Sequence, residues 1–186
     1  EVVNEVHNYN PGSCGCSGSG TSKPAEISFA GHHTSGGGCP GSASKTFKPV
    51  ADAPERIAIN SELSHWPIQM HLINPMASHF KNSDLLVAAD CAAFSMGNFH
   101  SGFLKGKTLV IACPKLDSDK DVYVEKLIRL IDDARINTIT VVRMEVPCCG
   151  GLTQLVQMAL QSAKRKVPVK VVVLNVQGQI ISDAWL

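Results

Sequence analysis

The sequence predicts an α/β fold: an open, mostly parallel sheet of about five strands with flanking helices, preceded by an irregular segment rich in Gly, Ser, Cys and His. Three observations lead there. From about residue 66 short aliphatic runs alternate with helix-like segments. Several of those runs are near-continuously apolar, as in strands that helices cover on both faces. Residues 1–50, by contrast, hold nine of the fifteen glycines and few aliphatics, so they cannot bury a core of their own.

The division that follows is a flexible Gly/Ser-rich connector over residues 1–50, carrying Cys14, Cys16 and Cys39, and a cysteine-bearing α/β domain over residues 51–186. Within the domain five runs read as strands: Ile68–Ile73, Leu85–Ala89, Thr108–Ala112, Thr138–Met144 and Val169–Val176. The first alternates more than the others and suits an edge. Between the third and fourth runs, Val124, Leu127, Ile128 and Ile131 recur at helical spacing, with Asp117, Ser118, Asp119 and Asp121 supplying caps and negative charge ahead of them. After the fourth, Leu152, Leu155, Val156, Ala159, Leu160 and Ala163 form a second stripe that ends at Lys164-Arg165-Lys166 before Pro168. Three glycines between Cys91 and Lys107 leave room only for a short helix. A hairpin at Gln177-Gly178 returns Gln179–Ile181 to the last strand.

The formal net charge is +1, and no apolar run is long enough to span a bilayer. Neither nucleic acid nor an anionic membrane is an expected partner. The start, Glu1-Val2-Val3, has no initiator Met and no signal-peptide pattern, and reads as the beginning of a fragment trimmed from a longer, cytoplasmic polypeptide.

Seven cysteines cannot pair off completely, and in a reducing compartment clustered thiols are more often metal ligands or reactive groups than disulfides. Their placement is informative. Cys91 follows the second run, Cys113 the third, and Cys148-Cys149 the fourth after only a few residues. In a parallel sheet these strand ends share one edge, so three turns deliver four thiols to the crevice where open α/β sheets bind ligands. Soft thiolates select iron–sulfur clusters, zinc or copper(I), and the absence of paired C-x₂-C knuckles weakens zinc. Cys148-Cys149-Gly150-Gly151 also opens a helix, where N–H groups favour a thiolate or an anionic cluster. Asp90 reads as a turn cap ahead of a ligand or proton acceptor, His100 as a residue that approaches the cluster more often than it ligates, Lys115 as a neutraliser of cluster charge or a solvated side chain, and Arg143 with Glu145 as a structural ion pair.

No G-x-G-x-x-G follows the first strand, and no phosphate-binding P-loop, G-x-S-x-G elbow, C-x-x-C-H haem site or tight ferredoxin cysteine run is present.

The phrases Trp66–Leu72, Ala88-Ala89-Asp90-Cys91, Ala112–Asp117 and Val141–Leu152 resemble the carboxy-terminal domain of a family of anaerobe ferredoxin-type (4Fe–4S) iron–sulfur proteins of poorly defined function. Gly37-Gly38-Cys39-Pro40-Gly41-Ser42 is similar to the end of that family's connector. The resemblance covers roughly residues 37–182. It implies cluster-related roles for Cys39, Cys91, Cys113, Cys148 and Cys149, electron transfer in anaerobic metabolism, and a two-cluster ferredoxin-type domain upstream as redox partner. That domain is not in this sequence.

The leading expectation is thus an iron–sulfur redox domain, an oxidoreductase if one iron is left open for catalysis. A [4Fe–4S]-like cluster would be held by Cys91, Cys113 and one or both of Cys148 and Cys149, with Cys39 folding over from the connector. Two other readings stay open: a zinc-bound structural or interaction module, and a thiol or persulfide enzyme using Cys148 or Cys149. Cys14 and Cys16 are read as incidental ahead of a second metal site with Cys39; whether His32 and His33 meet metal is left open.

Overall fold

The computed structural model describes residues 60–186 together with the two-residue strand β1 (Lys45–Thr46). Expectations for Cys14, Cys16, His32, His33 and Cys39 lie outside the described residues. β1 pairs antiparallel with β2 (His65–Trp66). The main sheet holds β3 (Asp84–Ala89), β4 (Thr108–Ala112), β5 (Thr138–Met144), β6 (Val169–Leu174) and β7 (Ile180–Trp185), in the order β4-β3-β5-β6-β7. The first four are mutually parallel and β7 is antiparallel to β6, so the expected open, mostly parallel α/β sheet is the observed one.

The sequence reasons for these elements are plain. Leu85–Ala89 are all buried, as a central strand covered on both faces demands. Helix α1 (Ala92–Ser95) and a π-helical turn (His100–Leu104) fill the glycine-bearing connection after β3. Helix α2 (Lys120–Asp132) buries Tyr123, Leu127, Leu130 and Ile131, while Val124 and Ile128 of the expected stripe are only partly covered. Its N-cap, Asp119, sits at φ +48 and makes no side-chain cap, so the acidic cluster before α2 does not cap it as expected. Helix α3 (Gly150–Ser162) buries Leu152, Leu155, Val156 and Ala159, and Lys166 Nζ donates to Leu160 O at 2.6 Å near its carboxyl end. The Asp132 carboxylate accepts from Lys164 N and Arg165 N, which ties the ends of α2 and α3 together.

One expected strand is absent. Ile68–Ile73 forms a single bridge, Gln69 to Ile111, and then turns. Lys126 Nζ accounts for this: it donates to Met70 O, His71 O and Ile73 O at 3.0, 2.6 and 3.0 Å. Successive carbonyls of a strand point in opposite directions, so only a turned chain presents three to one ammonium. The segment does lie at a sheet edge, as its alternation suggested. His65 Nε2 accepts from Leu109 N at 2.9 Å, and Ile68 O from Ile111 N at 2.8 Å, so it occupies edge groups of β4 that would otherwise be unpaired. The hairpin is also as expected, with Asn175 Oδ1 accepting from Gln177 N and Gln179 N. No helix among the described residues is long and apolar enough to cross a membrane.

Candidate functional site

The chain runs from β3 to β4 on one side, then crosses to β5 on the other, so the topological switch of the sheet falls between the carboxyl ends of β3 and β5. Cys91 follows β3 by one residue beyond Asp90, and Pro147-Cys148-Cys149 form a 3-10 turn that leads from β5 into α3. Cys113 directly follows β4, the neighbour of β3 on its other side. The three expected strand-end positions therefore lie on one edge of three adjacent strands.

Two contacts draw the turns together. Gly151 lies against the Cys113 turn: a Cβ there would be 3.0 Å from Pro114 Cβ, whereas Gly150 faces open space. On the opposite side, Ser95 Oγ at the end of α1 donates to Met144 Sδ at 3.3 Å, so the helix that Cys91 opens reaches over to β5.

The thiols differ in setting. Cys91 and Cys148 are exposed, Cys113 is half-buried and Cys149 is buried; all four are free. Burial pushes the Cys149 thiol up, against a hydrogen bond from the backbone of Met144, and the charges that Cys148 and Cys91 would carry push it further. Cys149 is thus within electrostatic reach of both Cys148 and Cys91 at the switch point. Among the described residues no three His, Cys, Asp or Glu side chains converge as they would on a single metal ion.

The Cys113 turn is held by a support that the sequence did not disclose. Asp117 Oδ2 accepts from Cys113 N at 2.8 Å and from the buried Tyr123 hydroxyl at 2.7 Å. Burial first, then the hydrogen bond to Asp117 and its charge, hold the Tyr123 phenol protonated. Asp117 had read as a helix cap; the i, i+4 spacing from Cys113 was the only available signal.

Asp90 does not cap its turn. Its Oδ1 is buried without a hydrogen-bond partner, and burial, then the charge of Asp117, push its carboxyl above the usual range. His100 Nδ1 accepts from Glu62 N at 3.2 Å, and its ring lines an apolar cavity together with Asp90. Lys115 is exposed. Arg143 and Glu145 turn to backbone partners: Arg143 Nη1 donates to Met144 O, and Glu145 Oε1 accepts from Val176 N.

A protein-family model described as a Rossmann-like domain matches residues 77–185. An uncharacterized protein of Archaeoglobus fulgidus is 28% identical over 120 residues, covering 64% of this chain and 83% of that protein. No solved structure matches the chain.

Proposed function

The chain belongs to the Rossmann-like domain family, and from that scaffold we propose an iron–sulfur redox domain whose cluster is held at the carboxyl ends of the parallel strands. The observation that carries the reading is the delivery of four free thiols to one sheet edge by the turns after β4, β3 and β5. Adjacent strands are about 4.8 Å apart, so these turns spread over about 10 Å. A lone ion needs every sulfur within about 2.3 Å of one point. A cluster takes splayed thiolates around a larger object, and the donor set fits that better. Cys91, Cys113 and one or both of Cys148 and Cys149 would hold it, with Cys39 as a further candidate. The cluster would supply one-electron transfer.

The protein's own contribution is in the surroundings. The α3 amino terminus places N–H dipoles by Cys148 and Cys149, which favours anionic sulfur. The Asp117–Tyr123 pair fixes the Cys113 turn. Dinucleotide binding has less behind it. In dinucleotide-binding members of this architecture the turn after the first strand is glycine-rich, so that bare backbone meets a pyrophosphate. Here that turn reads Asp90-Cys91-Ala92-Ala93. The proposed setting is the cytoplasm, and the proposed electron donor or acceptor is a ferredoxin-type domain or a separate redox protein.

The test is iron and acid-labile sulfide analysis with an absorption spectrum, on full-length chain prepared without oxygen. About four iron and four sulfide per chain, with a visible band that bleaches on reduction, is the expected result. Zinc without sulfide would replace this reading with a structural module. A metal-free, folded chain with one rapidly alkylated thiol would replace it with thiol chemistry. Cys113→Ser should lower iron content; unchanged occupancy would remove Cys113 from the site.

A further inference from the structure

The face of the sheet beneath α1 and the π-helical turn encloses a cavity of about 210 Å³. Its walls are Ile68, Phe99, Leu104, Leu109 and Ile111, with Ala88 beside Ile111 in register on the adjacent strand. None of Cys91, Cys113, Cys148 or Cys149 lines it, so it is a separate space from the thiol edge. Two polar residues do line it. One is Asp90, whose Oδ1 is buried with no donor to meet it. The other is His100, whose Nδ1 is already taken by Glu62 N, which leaves Nε2 as the protonated, donating edge of the neutral ring. Phe94 is 94% exposed and also belongs to the lining, an aromatic ring left in water at the rim.

We infer that this cavity binds a small, mainly apolar molecule of about six to ten non-hydrogen atoms with a single hydrogen-bonding group at one end. The size follows from volume, since an apolar cavity of about 150 Å³ takes benzene, and this one is larger. The apolar body follows from the walls. The polar end follows from His100, whose ring N–H on the wall can donate to a ligand oxygen; Asp90 Oδ1 is buried away from the cavity space. The exposed Phe94 ring would gain burial when such a molecule is seated. The position gives the site its interest: Asp90 and Ala93, both lining residues, flank Cys91 in the chain. A molecule bound there would lie beneath the turn that carries one of the candidate cluster thiols.

Phenol and benzene are suitable probes, titrated into the full-length chain prepared without oxygen, with methyl NMR signals of Ile68, Leu104, Leu109 and Ile111 as the readout. The expected result is saturable shifts confined to these methyls, with phenol bound at least threefold more tightly than benzene. Ala93→Phe, at an exposed position of the lining, should weaken both probes at least tenfold while the Val141 and Val172 methyls stay unshifted and so report an intact sheet. His100→Leu should erase the preference for phenol and keep benzene binding. Shifts that do not saturate, or affinities that Ala93→Phe leaves unchanged, would overturn the site. Equal affinity for the two probes in the unaltered protein would overturn its polar end. Neither result depends on iron content, so failure here and failure of the cluster reading are distinguishable.

Discussion

Gly151 and Pro114 are in contact across the candidate site, so close that a single added carbon on Gly151 would lie 3.0 Å from Pro114 Cβ. Gly150, one residue earlier, has nothing within 4 Å of the same added atom. The pair makes a clean comparison, since both glycines begin α3 and glycine costs a helix about 1 kcal/mol against alanine. Gly150→Ala should therefore raise stability by up to about 1 kcal/mol. Gly151→Ala should forfeit that gain, because the Pro114 ring is stiff and buried and can give way only by moving the Cys113 turn. Urea midpoints at constant m-value check both, and equal gains would show that the contact is slack.

The hairpin between β6 and β7 is set as tightly against α1. Gly178 has φ +81, and a Cβ there would lie 2.0 Å from Ser95 O, a backbone atom that cannot rotate away. Gly178→Ala adds the left-handed penalty to that collision, so the expected loss is at least about 2 kcal/mol. A loss under about 0.5 kcal/mol, measured by the same denaturation, would mean that the turn adjusts independently of α1.

Thiol accessibility makes a third prediction. In metal-free, folded protein, among the four cysteines of the described residues, Cys91 and Cys148 should alkylate first, because both are exposed. Cys149 should alkylate last, since it is buried and its thiol is held protonated by that burial. Peptide mass mapping after timed iodoacetamide exposure gives the order. Fast labelling of Cys149 would mean that the start of α3 opens readily in solution.

What the sequence disclosed and what it withheld follow one physical line. Leu85–Ala89 and Thr108–Ala112 were legible as strands because a strand covered on both faces must be apolar throughout, and composition alone records that. The thiol positions were legible for a related reason: a residue that follows a parallel strand has its edge of the sheet decided by topology. Ile68–Ile73 misled, because its turn is imposed by Lys126, more than fifty residues later. The Asp117 link to Cys113 and Tyr123 is local, but the same aspartate also fits a helix-cap pattern, which hid it; the sharing of one cavity by Asp90 and His100 arises from how the connection after β3 folds back on the sheet, which no local pattern encodes. The stacking of two histidines belongs to the same class.

That stack is His65 on His79, ring centroids 4.2 Å apart and planes within 12° of parallel. His65 is fully buried, accepts from Leu109 N through Nε2, and fixes the strand-edge segment to β4. Burial, then the neighbouring His79, lowers its pKa from 6.5 to about 4, and burial lowers that of His79 as well. The unfolded chain therefore takes up a proton on His65 before the folded chain does. Stability contributed by the neutral ring is complete above pH 6.5, falls as the pH drops from 6.5 toward 4, and is gone below that. A gap of this size is worth on the order of 3 kcal/mol. Unfolding free energies measured by urea at pH 7.5, 6.5, 5.5 and 4.5 should show the decline. His65→Gln, whose amide oxygen reaches the Nε2 position and can still accept from Leu109 N, should be less stable at pH 7.5 yet much flatter across the window. A slope as steep in that variant as in the unaltered protein would assign the acid sensitivity to other groups.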